Sequence, residues 1–208
     1  MSGLTVTTPP SALPIGEVET RNYLRIDSDV DTNLVTALMT AARDWAENFT
    51  NRTLINTTYT LSLDAIGERD QFLREGMFTG AYQIPYLNYI ELPRSPVASV
   101  THIKSFNDAN TESTLAASNY YSDLVREPAR VVLRDGGSWP TDLRNANGIE
   151  VQYVAGYGSS GADVPEPIRV AMFEYVTFLY EHRGDYERFP PPRPPVSMQM
   201  LLLSLIHI

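Results

Sequence analysis

The sequence contains no cysteine, and only three of its 208 residues are histidine. A chain without thiols can form neither a disulfide framework nor a thiolate metal site. The histidines at 102, 182 and 207 lack the close spacing of a metal-binding motif. Residues 1–13 lack the basic and then apolar order of a secretion signal, and no apolar stretch has the length of a transmembrane helix. We therefore expect a soluble, cytoplasmically made protein with no metal, no cofactor and no membrane partner.

Basic residues are scarce as well. Lysine and arginine number 16 against 25 acidic residues, which gives a formal net charge of −9. This balance argues against a protein that holds nucleic acid on a broad basic face. Two interpretations remain: ordinary solubility, or an acidic wall along which a polyanion slides without binding. The charge does not choose between them.

Motifs of catalysis are absent too. There is no Gly-x-Ser-x-Gly turn, and the glycine-rich run 156–161 lacks both the lysine of a phosphate loop and the glycine spacing of a dinucleotide fingerprint. We interpret that run as a linker between a strand and a helix. No spacing of carboxylates selects an acid–base pair. We predict no catalytic residues; an enzyme with a site assembled from scattered carboxylates is an alternative that a pocket holding two carboxylates of raised pKa would support.

Two long helical patterns are present. After the N-cap candidate Ser28, apolar residues recur at helical spacing over 29–49: Val30, Leu34, Ala37, Leu38, Ala41, Ala42, Trp45 and Phe49. A second helix is predicted over 165–183, with Asp163 as its cap and Pro165 in its first turn. Its apolar face contains Ile168, Ala171, Met172, Tyr175, Val176, Leu179 and His182. A shorter helix is predicted over 17–25.

Between the long helices, the hydrophobic period changes from that of a helix to that of a strand. Strands are predicted over 58–63, 81–84, 89–92, 100–106, 129–133 and 149–154, separated by turn signals such as Asp135-Gly136-Gly137 and Asn147-Gly148. The sequence thus predicts an α+β fold, in which a small helical bundle contains an inserted, mainly antiparallel β region over 56–157. We expect one domain over 14–184.

The two ends have a different composition. Residues 1–13 are small, polar and proline-containing, which predicts a flexible arm. Residues 185–208 are predicted to form an extended, proline-rich C-terminal arm, because the proline run 190–195 excludes helix. We interpret that run as a stiff spacer; the alternative is a ligand for proline-binding domains that depends on Arg193 and its flanking prolines.

The last residues, 203–208, match one reading frame of a common sequencing-library transposon end. We interpret them as an artefact, with the true gene continuing beyond. The alternative is an apolar tail that packs on a neighbouring molecule.

Five large apolar residues are candidate anchors of the core or of contacts between subunits. Trp45 and Phe49 lie on the first apolar helix face, and Tyr175 and Leu179 lie on the second. Trp139 precedes a proline in a turn-rich stretch, where it can cap the core or contact a subunit.

Several segments in succession carry a resemblance to a known family. They are DVDTNLVTALMTAAR from Asp29 with WAENFTNRTL from Trp45, IELPRSPVASV from Ile90, PARVVL from Pro128 with Trp139-Pro140, IEVQYVAGYG from Ile149, and VPEPIRVAM from Val164 through LYEHR at 179–183. Over roughly residues 15–185 this order resembles the head–tail connector, or head-completion adaptor, proteins of long-tailed double-stranded DNA phages and gene transfer agents. No single motif is diagnostic, and the resemblance depends on their order.

The resemblance implies a non-catalytic virion protein of the head–tail junction, made in the host bacterial cytoplasm. It implies a homo-oligomeric ring, usually of twelve subunits, that binds beneath the portal protein and carries a neck or tail-completion protein below. Double-stranded DNA passes through such a ring without sequence-specific binding. The C-terminal arm is then expected to reach the portal, with Arg188, Phe189 and Arg193 as candidate contacts. Another non-catalytic neck or tail-completion role is the alternative.

Overall fold

The chain passes three times between two units, each of which has its own hydrophobic core. The computed structural model describes residues 2–26, 32–66, 89–183 and 193–203, and these confirm the α+β class. Met1–Pro9 and Thr57–Ala155 form one compact unit, here the β unit. Pro10–Asn56 and Gly156–Ile208 form the other, the helical unit. The division corrects the expectation of a single domain over 14–184, because the β region buries a separate apolar cluster.

The helical unit contains four helices among the described residues: α1 Glu17–Leu24, α2 Thr32–Thr50, α3 Glu166–Glu181 and α4 Val196–Leu203. The first three confirm the helices predicted at 17–25, 29–49 and 165–183, although Ser28 and the start of the second lie outside the described residues. The helix α4 corrects the prediction of an extended arm over 185–208. It begins directly after Pro195, and its sequence VSMQMLLL contains neither proline nor glycine to interrupt a helix.

The buried face of α2 differs from the predicted stripe by a rotation about the helix axis. Val35, Met39, Ala42 and Ala46 are buried, whereas Ala37 and Ala41 are exposed. These four residues pack with Ile168, Ala171, Met172, Phe173 and Val176 of α3 in one cluster. The alanines lack bulk, so they allow α2 to approach α3 closely, and the larger Leu38 and Trp45 lie at the margin of the core.

The start of α3 also differs from expectation. Asp163 does not cap α3; it ends a short 3-10 turn, Gly161–Asp163, in which its carboxylate accepts a hydrogen bond from the Ser160 backbone N–H at 3.0 Å. Pro165 stands at the N-cap of α3, and Pro167 occupies its first turn, where a missing N–H leaves no bond unmade.

The β unit contains eight strands among the described residues, in two antiparallel sheets. The first sheet has the order β1–β2–β8–β4–β5, and the second has β3–β7–β6. The strands are β1 Ser2–Thr8, β2 Thr57–Leu63, β3 Tyr89–Leu92, β4 Val97–Phe106, β5 Glu112–Thr114, β6 Tyr120–Asp123, β7 Ala129–Leu133 and β8 Ile149–Ala155. Five of the six predicted strands are confirmed, and the sixth, at 81–84, lies outside the described residues.

Both sheets contribute to one core, and alternation along the strands sets which residues enter it. In β8, Ile149, Val151 and Tyr153 are buried while the residues between them are partly exposed. The Tyr153 hydroxyl donates a hydrogen bond to the Pro93 carbonyl at 2.7 Å. Burial raises the pKa of this hydroxyl well above its ordinary value. Tyr153 therefore remains protonated and keeps its role as a donor.

The strand β1 corrects the prediction of a flexible arm over 1–13. This strand, Ser2–Thr8, pairs antiparallel with residues 58–63 of β2, from Ser2 opposite Leu63 to Thr8 opposite Thr58, with a register shift between Val6 and Thr8. The Thr-rich composition gave little hydrophobic signal, and the partner strand lies more than fifty residues away in sequence.

Within the helical unit, the segments that lead to and from the β unit run side by side. The Asn56 backbone N–H donates to the Gly158 carbonyl at 2.8 Å, and that of Tyr157 donates to the Leu54 carbonyl at 3.1 Å. Between them Gly156 has φ of +142°, and a Cβ there would lie 2.5 Å from the Asn56 nitrogen. Only glycine fits this position.

Gly156→Ala should therefore lower the free energy of unfolding by about 2 kcal/mol or more, because the backbone strain and the collision with Asn56 add. Urea denaturation followed by circular dichroism measures this. Gly3→Ala is the matched control, since no heavy atom lies within 4 Å of its added methyl group; it should change stability by less than about 0.5 kcal/mol. Equal effects of the two substitutions would contradict the steric argument.

Candidate subunit interface

Five rings on α2, on α3 and at the C-cap of α3 lie in a continuous row, here called the aromatic ladder: Trp45, Phe49, Tyr175, Phe178 and His182. Trp45 stacks on Phe49 with centroids 5.2 Å apart and on Tyr175 at 4.6 Å. Tyr175 lies 6.3 Å from Phe178, whose ring is 4.5 Å from that of His182. The spacing follows from the helices, because residues three or four apart share a face.

The ladder is only partly covered within its own chain. Trp45 and Tyr175 lie at the margin of the helical core, and burial raises the pKa of the Tyr175 hydroxyl. Phe49, at the end of the row, keeps 38% of its surface exposed. Stacked aromatic rings with one accessible end are typical of the anchors of protein interfaces.

The ends of both helices are fixed next to the ladder. After α2, Asn51 adopts the left-handed conformation with φ of +53°, and the Arg52 N–H returns to the Glu47 carbonyl at 3.1 Å. The Glu47 carboxylate accepts from the Leu54 N–H at 2.9 Å. At the end of α3, the His182 Nδ1 lies 2.8 Å from the Phe178 carbonyl oxygen. The sequence placed His182 at the C-terminus of the helix, as observed, but it did not reveal that His182 and Phe178 extend the ladder.

A second unusual surface is the outer face of α4, formed by Val196, Met200 and Leu203. Their spacing of four and three residues puts them on one side of the helix, where 63%, 66% and 40% of each residue is exposed. The opposite side buries Met198 and Leu202 in the helical core. A helix that is apolar on both sides is normally enclosed on both sides. This surface was not predicted from the sequence, although the run of eight residues with no charge at 196–203 was an available signal.

The other predicted anchors do not join the ladder. Leu179 lies on α3, half-buried, outside the ring contacts. Trp139 belongs to the β unit and packs against its core. Its indole N–H is buried and has no hydrogen-bond partner among the described residues. Of the candidate portal contacts, Arg193 is exposed, whereas Arg188 and Phe189 lie outside the described residues.

An ion-pair network holds α1 on α3. The Arg169 guanidinium lies 2.8 Å from the carboxylates of both Glu19 on α1 and Glu166 in its own first turn. Burial works to lower the pKa of Arg169, but the two carboxylates outweigh it and raise that pKa. Arg169 uses one terminal nitrogen for each carboxylate, so the two charge-assisted contacts together fix the orientation of its guanidinium.

In the described ranges, no three His, Asp or Glu side chains converge to hold a metal ion. Within the same ranges, no helix is both long and apolar enough to cross a bilayer. His102 has its Nε2 4.0 Å from Glu150, and His207 lies outside the described residues.

The fold is similar to that of chains in the neck of gene transfer agent particles. One such chain, from the neck of an empty particle computed with C6 symmetry, has a TM-score of 0.74 and 21% sequence identity, with 97% of this chain and 94% of that chain covered. A chain of the virion of a native particle gives 0.72 and 19%, covering 97% and 93%. A chain of the native neck computed with C12 symmetry gives 0.68 and 22%, covering 98% and 93%. No protein-family model matches the sequence, and neither does any curated protein.

The ladder yields a graded prediction for stability. Trp45→Ala should lower the free energy of unfolding by about 2–4 kcal/mol, because it removes two ring stacks and core contacts. Phe49→Ala, at the exposed end, should lower it by less than about 1 kcal/mol. Urea denaturation followed by circular dichroism compares them. Similar losses for both would show that Phe49 is structural rather than available for contact.

Proposed function

We propose that this chain is a non-catalytic structural subunit of the neck of a tailed phage or gene transfer agent, a head–tail connector that forms a ring beneath the portal. The observation that carries the proposal is the fold similarity to neck chains over nearly the whole of both chains. The similarity covers both units, so it does not depend on one small and common module.

The proposed ring follows from the symmetric assemblies in which the similar chains occur, which were computed with C6 and C12 symmetry. A closed ring needs a heterologous interface, in which one surface of each subunit meets a different surface of the next. The exposed end of the aromatic ladder supplies one apolar surface for such a contact.

The portal contact is assigned to the C-terminal arm. Arg188, Phe189 and Arg193 remain its proposed residues, and the outer face of α4 extends the same segment with Val196 and Met200. Binding of a partner that removes an uncharged apolar helix face from water lowers the free energy of the complex. This assignment gives the exposed side of α4 the covering that its composition requires.

The net charge of −9 suits a channel for DNA. Each lysine or arginine contact with a phosphate releases counterions and strengthens binding, which would hold DNA that has to move. An acidic subunit repeated around an axis repels the phosphates instead. We propose on this ground that DNA passes the ring without sequence-specific binding.

A different neck or tail-completion role is the second candidate, since the similar chains are described as neck and virion components. The two roles differ in the partner bound: a connector binds the portal directly, whereas a tail-completion protein binds only below it.

Mass measurement by light scattering tests the ring and its partner together. The purified full-length protein should form a ring alone, or join its portal in a fixed multiple near twelve. A protein that stays monomeric and indifferent to the portal would overturn the connector assignment, and binding only to the lower neck protein would favour the second candidate.

Met200→Asp should weaken association with the portal at least about tenfold, because it places a charge in the apolar contact of α4. Surface binding measurements at constant salt give this ratio. Val125→Asp, in the β unit, is the matched control, since Val125 is 96% exposed and packs on nothing; its effect should stay below about twofold. Loss of portal binding in both variants, or in neither, would remove α4 from the contact.

A further inference from the structure

The strand β1 is attached to its sheet by unusually few kinds of contact. It is an edge strand, and β2 is its partner from Ser2 to Thr8, with a register shift at Thr7. Residues 3–8 are all exposed, including Val6 at 55% and Leu4 at 36%. Backbone pairing and two hydroxyl contacts to Thr60 hold it: Thr5 Oγ1 donates to the Thr60 carbonyl at 3.3 Å, and Thr7 Oγ1 lies 2.6 Å from Thr60 Oγ1. The strand therefore contributes hydrogen bonds to the β unit and little core.

The connection between β1 and β2 is long. Residues 10–56 separate them and belong to the helical unit, so no hairpin turn ties β1 to its partner. The chain leaves β1 through Pro9-Pro10, where proline fixes φ and favours an extended backbone in the preceding residue. Nothing in this connection requires that the β1 on a given β2 come from the same molecule.

We propose that the N-terminal strand is exchanged between neighbouring subunits, so that β1 of one copy pairs with β2 of the next. The proposal rests on the ring assigned above. Exchange replaces every β1–β2 hydrogen bond with an identical one and so is neutral in pairing free energy, which is why swapped elements are a low-cost route to oligomers. Repeated around a closed ring, it fills every β2 edge and joins each subunit to the next in one direction.

Exchange also explains why a strand with so little core contact is present. Within one molecule, β1 adds exposed apolar side chains, Leu4 and Val6, to a sheet edge. An edge strand of this kind is a liability in an isolated protein. As an arm between subunits, the same strand contributes six residues of backbone pairing to the assembly.

The absence of cysteine makes a direct test possible. Thr5 and Thr60 are opposite each other across β1 and β2, so Thr5→Cys with Thr60→Cys places two thiols within reach of a disulfide. The full-length double variant is oxidised after assembly with the portal, sized by light scattering, and separated on a non-reducing denaturing gel. Exchange predicts a series of covalently linked multimers on the gel, from dimers up to the size of the ring. Bridges within single chains leave only monomers.

A second cysteine pair keeps the test conclusive if the first variant does not fold or oxidise. Gly3 and Ser62 are also opposite each other, and a Cβ added at Gly3 has no heavy atom within 4 Å. The double variant Gly3→Cys with Ser62→Cys should therefore give the same series of covalent multimers. The control is Ser105→Cys with Ser113→Cys, partners in β4 and β5 at the other edge of this sheet, which a five-residue loop joins. This hairpin cannot exchange its strands easily, and its bridge should leave monomers.

The outcomes separate the strand exchange from the ring. A ring-sized assembly with only monomers on the gel, for both β1–β2 pairs, overturns exchange and leaves the ring intact. A protein that never assembles overturns both. Covalent multimers from both β1–β2 cysteine pairs, with only monomers from the control pair, support exchange. Covalent multimers from all three cysteine pairs would indicate random oxidation and would remove the support.

Discussion

The architecture depends on one close approach of backbone in the helical unit, where residues 54–56 pass beside residues 156–158. The β unit is an insertion, so the chain must leave the helical unit and return at neighbouring points. Two backbone hydrogen bonds and a parallel bridge between Ile55 and Gly158 hold these points together. Gly156 permits the approach because it has no Cβ. Both parts of the helical unit can then share one core, although residues 57–155 separate them in sequence.

How far the sequence predicted the fold depended on how local each signal was. The alternation in β2, β3, β7 and β8 identified these strands, because each buries one face in the core of the β unit. β1 was missed, since its Thr, Ser and Gly residues bury little and its partner is remote. α4 was missed because the preceding prolines predicted an extended backbone for the whole segment 185–208, although the last of these prolines, Pro195, precedes the helix. The hydrophobic pattern could not predict which face of α2 is buried, because alanines lie on both faces of the helix. The contact with α3 determines the buried face.

The candidate interface was partly predictable in the same sense. Trp45, Phe49 and Tyr175 were named from their positions on apolar helix faces, and stacking brings these three together. Phe178 and His182 complete the row through contacts along α3. Trp139 shared their chemistry but lies in the other unit, because residue type alone does not say which core a side chain joins. A large aromatic side chain in the sequence indicates that it packs against other residues, but the tertiary structure is needed to identify those residues.

The proposed assembly has to reconcile attraction with like charge. Each subunit carries a formal charge of −9, so copies repel one another as they repel DNA. The repulsion between exposed charges is screened beyond about 10 Å at 0.1 M salt, whereas apolar contact acts only at the surface that is buried. The outer face of α4 has no formal charge, and β1 offers only backbone, hydroxyl and apolar groups. Contacts built from such groups avoid the desolvation of ion pairs, so the proposed ring can form while the acidic residues remain in water.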